Sequence, residues 1–199
     1  HAEYDFDHST FLANVEVFVN VASIIRGSGP GNRAGRIQMY ASPAKWYVYI
    51  NRPQERGGIK VGIAGVAEVD FNFYMEVGSE TDPMPPIPDN IAEHFTSELR
   101  QIDPAITSGG GFMFGASLSI DLKPTFLCFY AELGLQIGFD MALKDVGSVS
   151  CAGMPDGQRI GINGWYATGQ MYARIYGGVG IEVDVFFCQK CKFEAFGVE

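Results

Sequence analysis

The chain predicts an all-β domain with one short helix, and three observations point there. Side chains alternate between oily and wet over long stretches, 25 Gly accompany 15 Phe, 9 Tyr and 2 Trp, and only one segment has helical spacing. Alternation matters because successive residues of a strand point to opposite faces.

In chain order, Val15, Val17, Val19 and Val21 begin the pattern, followed by short strands over 36–40 and 46–50. From Ile59 the odd positions run through Val61, Ile63, Val69, Phe71, Phe73, Met75 and Val77, while Lys60, Glu68, Asp70, Asn72 and Glu76 take the even ones. The same order holds for Phe112, Phe114, Ala116, Leu118, Ile120 and Leu122. It returns for Phe129, Leu133, Leu135, Ile137, Phe139, Met141 and Leu143, and again from Trp165 towards Phe187. A two-residue turn at Gly177-Gly178 would mix the two faces of that last run, so the pattern favours one long strand through the glycines. After the Pro-rich segment 83–88, Asp89 or Asn90 can cap a helix over about 89–103, with Ile91, Phe95, Leu99 and Ile102 on one side and Asp103-Pro104 at its end.

Length constrains how these strands are arranged. Twenty residues at about 3.3 Å each extend roughly 65 Å, whereas a compact domain of this size is about 40 Å across. The strands must bend, and glycines such as Gly134, Gly138 and Gly169 allow it. The expectation is a long, strongly curved antiparallel sheet, closed or nearly closed, barrel- or clam-like, with its apolar face inward and the helix as a lid on that face. One β-rich domain would fill residues 1–199, cut from a longer polypeptide.

Charge and cysteine usage narrow the function classes. The net charge of -9 opposes binding to nucleic acid or anionic lipid surfaces. Cys128, Cys151, Cys188 and Cys191 are the disulfide candidates, an even set that suits an oxidising compartment and leaves the pairing open. Cys188-Gln189-Lys190-Cys191 lacks the second pair a zinc ribbon requires, and it follows a strand where a redox motif needs a helix start.

Catalytic chemistry finds little support. Glycines 27, 29 and 31 precede neither the Lys-Ser/Thr nor the helix of a phosphate loop. His1, His8 and His94 sit in no metal or nucleophile motif, and the chain implies no metal or cofactor. Glu68, Asp70, Glu76, Asp121, Glu132, Asp140, Glu182 and Asp184 share strand faces with Ser, Gln and Tyr, which reads as a solvated outer face better than as a glycosidase pair. Tyr47, Tyr49, Tyr166, Tyr172 and Tyr176 read as cross-strand packing before they read as a binding platform.

The runs 46–53, 109–122, 126–143 and, above all, Gly161-Ile162-Asn163-Gly164-Trp165-Tyr166-Ala167-Thr168-Gly169-Gln170 resemble a segment of very large exported surface proteins of Bacteroidota, including ones that carry a TANFOR domain. The likeness covers most of the chain. It implies an extracellular, cell-surface or periplasmic location and a structural or binding role, and it brings no catalytic residue.

Three functions follow as expectations. The first is a noncatalytic structural or interaction domain of a large exported surface protein, with other domains of that polypeptide, or other surface proteins, as partners. The second is a lipid or hydrophobic-ligand carrier lined by Phe71, Phe73, Phe112, Phe114, Phe129 and Phe139. The third is an outer-membrane β-barrel segment with its oily face outward, against which weigh strands twice the usual 9 to 11 residues and no evident aromatic girdle.

Overall fold

A computed structural model describes residues 1–63, 66–92, 109–126, 129–145, 162, 164–183 and 191–198, with backbone alone at 125–126, 129, 181–183 and 191–198. The strands are β1 (Ala2–Asp5), β2 (Thr10–Phe18), β3 (Asn20–Val21), β4 (Ile25–Gly27), β5 (Arg33–Ala41), β6 (Trp46–Ile50), β7 (Gly57–Ile63) and β8 (Ala67–Gly78). After the four-residue helix α1 (Asp89–Ala92) come β9 (Gly110–Leu122), β10 (Thr125–Phe126), β11 (Phe129–Asp145), β12 (Trp165–Val183) and β13 (Cys191–Val198).

All belong to one 13-stranded antiparallel sheet whose main order is β1-β2-β5-β6-β8-β9-β11-β12-β13. The strand-rich fold and the antiparallel sheet are as the alternation predicts. Closure is not. Among the described residues β1 and β13 end the order without pairing to each other. Period two assigns side chains to faces and is silent on whether the outer strands meet.

The long run 59–77 is a hairpin rather than one strand. Ile63 pairs with Ala67, so the connection 64–66 holds an odd number of residues and parity survives the reversal. That is why alternation passes through the turn unbroken. The run through Gly177-Gly178 is, by contrast, the uninterrupted β12, in register with β11 from Trp165 to Ile181.

β8 is forked along one edge, pairing with β6 at 75–78 and with β7 at 67–73. Asn51 closes the fork. It is buried, with φ at 59°, in the left-handed region that Asn tolerates better than most residues. Its Oδ1 accepts the Arg36 N–H at 2.8 Å and its Nδ2 donates to the Phe73 carbonyl at 3.1 Å, tying β5 to β8 across the gap.

Candidate functional site

The register fixes both faces of the sheet. On one face, Met75, Phe114 and Met141 lie in a row; Phe73, Ala116, Phe139 and Met171 make the next, and Phe71, Leu118, Ile137 and Ala173 the next. On the other face Tyr49, Glu76, Met113, Ala142 and Thr168 share a row, beside Tyr74, Gly115, Asp140 and Gln170.

Burial inverts the expected orientation. Phe71 is 48%, Ile137 44%, Met141 46% and Met171 81% exposed, whereas Glu76, Asp140 and Lys144 are at most 1% exposed. The apolar face is therefore outward and the mixed polar face inward, the reverse of the expectation. The carboxylates read as a solvated outer face include two of the most deeply buried side chains.

The inward face is covered by residues 79–92, the segment with Pro83, Pro85, Pro86 and Pro88. Met84 joins Tyr74, Met113 and Ala142 in a buried cluster, and Ile91 and Ala92 of α1 are buried too. The lid thus lies on the polar face, not on the apolar one. Phe95, Leu99 and Ile102 of the expected helix fall outside the described residues.

Two charged clusters organise this face. Asp140 on β11 is fully bonded: Oδ1 accepts the Tyr74 hydroxyl at 2.9 Å and Arg56 Nη2 at 2.6 Å, and Oδ2 accepts Gln170 Nε2 at 2.9 Å. The Arg56 guanidinium lies 5.0 Å from the Tyr74 ring centre. Burial and the neighbouring Asp140 charge push the Tyr74 hydroxyl far up, so it stays a donor. Opposite Asp140 stands Gly115, where a Cβ would come within 2.2 Å of Asp140 Oδ1 and 2.6 Å of the Tyr74 ring. Only glycine leaves room for that pair.

Glu76 on β8 is less well served. Oε2 accepts the Asp82 N–H at 2.7 Å, while Oε1 accepts no hydrogen bond and is faced by Arg52 Nε at 3.8 Å. Burial pushes its carboxyl up to about 7. Lys144 donates to the Asp82 carbonyl at 2.9 Å, and burial lowers its ammonium. Arg52 also grips the Asp82 carboxylate through Nε and Nη2, and stacks 5.1 Å from the Tyr49 ring.

Tyrosines pack against glycines across strands. A Cβ at Gly138 would meet the Tyr172 ring at 2.3 Å and one at Gly134 the Tyr176 ring at 2.1 Å, each glycine being the direct partner of that tyrosine. Tyr47 stacks on Tyr49 at 4.2 Å and on Tyr40 at 5.3 Å. At one end an open cleft of about 620 Å³ is lined by Arg26, Glu68, Asp121, Lys123 and Tyr176 among others, with Arg26 paired to Glu68 and Lys60 bridging Glu68 and Asp70.

Of the predicted apolar lining residues, Phe71, Phe73, Phe112, Phe114 and Phe139 share the outward face, with Phe114 and Phe139 in edge contact at 5.6 Å. The side chains of Phe129 and Cys191 lie outside the described residues, as do Cys128, Cys151, Cys188 and His94. His1 and His8 pair with Glu3 and Asp5. Among the described residues no group of His, Cys, Asp and Glu is arranged to hold a metal ion.

Sequence reasoning missed Arg52, Arg56, Gln170 and Lys144 as partners of the inward cluster. The available signal was the pairing of glycines with tyrosines on the supposedly wet face, a sign of packing. No family model matches this chain, and comparison with curated proteins and with solved structures gives no match.

Proposed function

We propose that this chain is a noncatalytic section of the wall of a membrane-spanning β-barrel of an exported surface protein, apolar face against lipid chains and polar face towards the lumen. One observation carries the reading: the uncharged apolar face is exposed while the opposite face buries Glu76, Asp140 and Lys144. A protein folding in water has every reason to do the opposite, because each buried CH₂ contributes about 0.8 kcal/mol. In a bilayer that drive vanishes on the outer face, and polar groups collect inside.

The dimensions agree. Outward positions 67–77 of β8, 112–122 of β9 and 133–143 of β11 carry no charge and are held in mutual register. Ten steps of about 3.3 Å give about 33 Å along a strand, or about 25 Å of height at the usual tilt, the depth of an outer-membrane apolar band. β8 and β9 are 12 and 13 residues long, close to what spanning needs. The longer β11 and β12 project beyond the band.

The chain's two tryptophans support the same boundary. Trp165 is the next outward position beyond Ala167, and Trp46 the next beyond Val48, whose partner is Val77. Both end the band on the same side, half-exposed at 43% and 50%, where an amphipathic ring suits a lipid headgroup. Such a wall would be closed by further strands along β1 and β13, since unpaired edge amides are not tolerated in hydrocarbon.

The test is reconstitution. The purified protein is expected to be monodisperse only in detergent or lipid. Trp46 and Trp165 fluorescence should be quenched more by lipids brominated near the headgroup than by those brominated near the chain end. Monodispersity in plain buffer without quenching overturns the proposal, and stoichiometric lipid seen there by native mass spectrometry would replace it with the carrier reading.

A further inference from the structure

We infer that residues 79–92 are a detachable plug, latched onto the inward face by side chains, with backbone bonds only at its start, where the Ser79 and Thr81 N–H groups donate to the Trp46 and Gly109 carbonyls, and separable from the sheet without breaking any pairing within the strands. This rests on the barrel-wall reading only for calling that face lumenal. The mode of attachment is independent of it.

Pro83, Pro85, Pro86 and Pro88 have no N–H, so the segment cannot add to the sheet as a strand. Its carbonyls are held instead by donors reaching up from three different strands and spaced across the face, and a carboxylate of a fourth strand accepts one of its N–H groups. The Tyr49 hydroxyl of β6 donates to the Glu80 carbonyl at 3.1 Å, Lys144 of β11 to that of Asp82 at 2.9 Å, and Gln170 of β12 to that of Pro85 at 2.8 Å. Glu76 of β8 accepts the Asp82 N–H at 2.7 Å. Further along, Asn90 donates to the Gln136 side chain of β11 at 2.9 Å. Met84 supplies the apolar anchor between Tyr74, Met113 and Ala142.

The latches are isolated side-chain contacts, the firmest being the grip of Arg52 on the Asp82 carboxylate, and each neutral hydrogen bond among them contributes about 1 kcal/mol, whereas the strands beneath are joined by continuous ladders. Local opening follows the weakest set of contacts. The plug should therefore open while β8, β9 and β11 remain paired, and its opening uncovers the polar face from Tyr49 to Gln170.

Hydrogen exchange followed by mass spectrometry tests this on the full chain, in detergent and in lipid. In Lys144→Met combined with Tyr49→Phe, amides in 79–92 should exchange at least about tenfold faster, as expected for two lost hydrogen bonds, with β8, β9 and β11 unchanged. Tyr49→Phe with Asn90→Ala serves the same purpose if removing the Lys144 charge prevents folding. Exchange in 79–92 that does not accelerate, or that accelerates in step with the strands, overturns the inference. If the protein proves soluble in buffer, the measurement reads the same way there, so its outcome stays separate from that of the membrane test.

Discussion

Phe139 and Asp140 are neighbours on β11 that point to opposite faces, and they meet opposite conditions. Phe139 is 38% exposed and touches Phe114 in a loose edge contact. Asp140 is 1% exposed, and three donors fix its two oxygens. The outward face asks only that a side chain be apolar. The inward face asks for one particular side chain at each place, because buried polar groups such as Asp140 are held by specific partners and glycines are used to make the space.

The sharpest way to break that contrast is Asp140→Ala beside Phe139→Leu. Removing the carboxylate strands the Arg56 guanidinium and the Tyr74 hydroxyl in a buried site, and the loss of one member of a buried pair costs about 3–5 kcal/mol. The Phe139 substitution is expected to cost less than about 1.5 kcal/mol, as apolar exchanges of similar volume do. Urea unfolding in a fixed detergent measures both. Equal costs would mean that the two faces do not differ in kind.

Next in size is Ile137→Lys, which places a charge midway along the outward band. In a bilayer its cost should be about 2–4 kcal/mol, read as a shift in the unfolding equilibrium of protein folded into vesicles. In aqueous buffer the same substitution on an already exposed position should be within about 0.5 kcal/mol of neutral. A lysine without effect in vesicles removes lipid as the partner of this face.

The residues that carry this contrast differ in how far they could be read from sequence. Parity was fully legible: Leu133, Ile137 and Met141 do share a face, and the odd positions of β9 and the even positions of β11 do not join them. Which face is outward was not legible, because period two is symmetric between them. The chain offers a physical hint in hindsight. The outward positions of β8, β9, β11 and β12 form an apolar surface far larger than one short helix can cover, and no second apolar sheet exists among the described residues to do so. The donors that hold residues 79–92 were hidden for another reason. Lys144, Gln170 and Tyr49 are far apart in the chain, and only strand register brings them under one segment.

A further contrast separates the two buried carboxylates of the inward face. Asp140 has a hydrogen-bond donor for each oxygen, while Glu76 has one oxygen without any, and burial raises its carboxyl from 4.5 to about 7. Asp82 faces it from residues 79–92, Arg52 and Tyr49 from the β6 side, Lys144 from β11, and Tyr74 from its own strand. The folded protein binds the Glu76 proton more tightly than the unfolded chain does. Its contribution to stability is therefore fully present below about pH 4.5 and declines as pH rises through about 7. Glu76→Gln keeps the shape and removes the titration, so the difference in stability between wild type and variant should shift in favour of the variant between pH 5 and pH 8. A difference that is flat across this window, in denaturant titrations at each pH, would mean that Glu76 is as well satisfied as Asp140 and that the inward face treats its two acids alike.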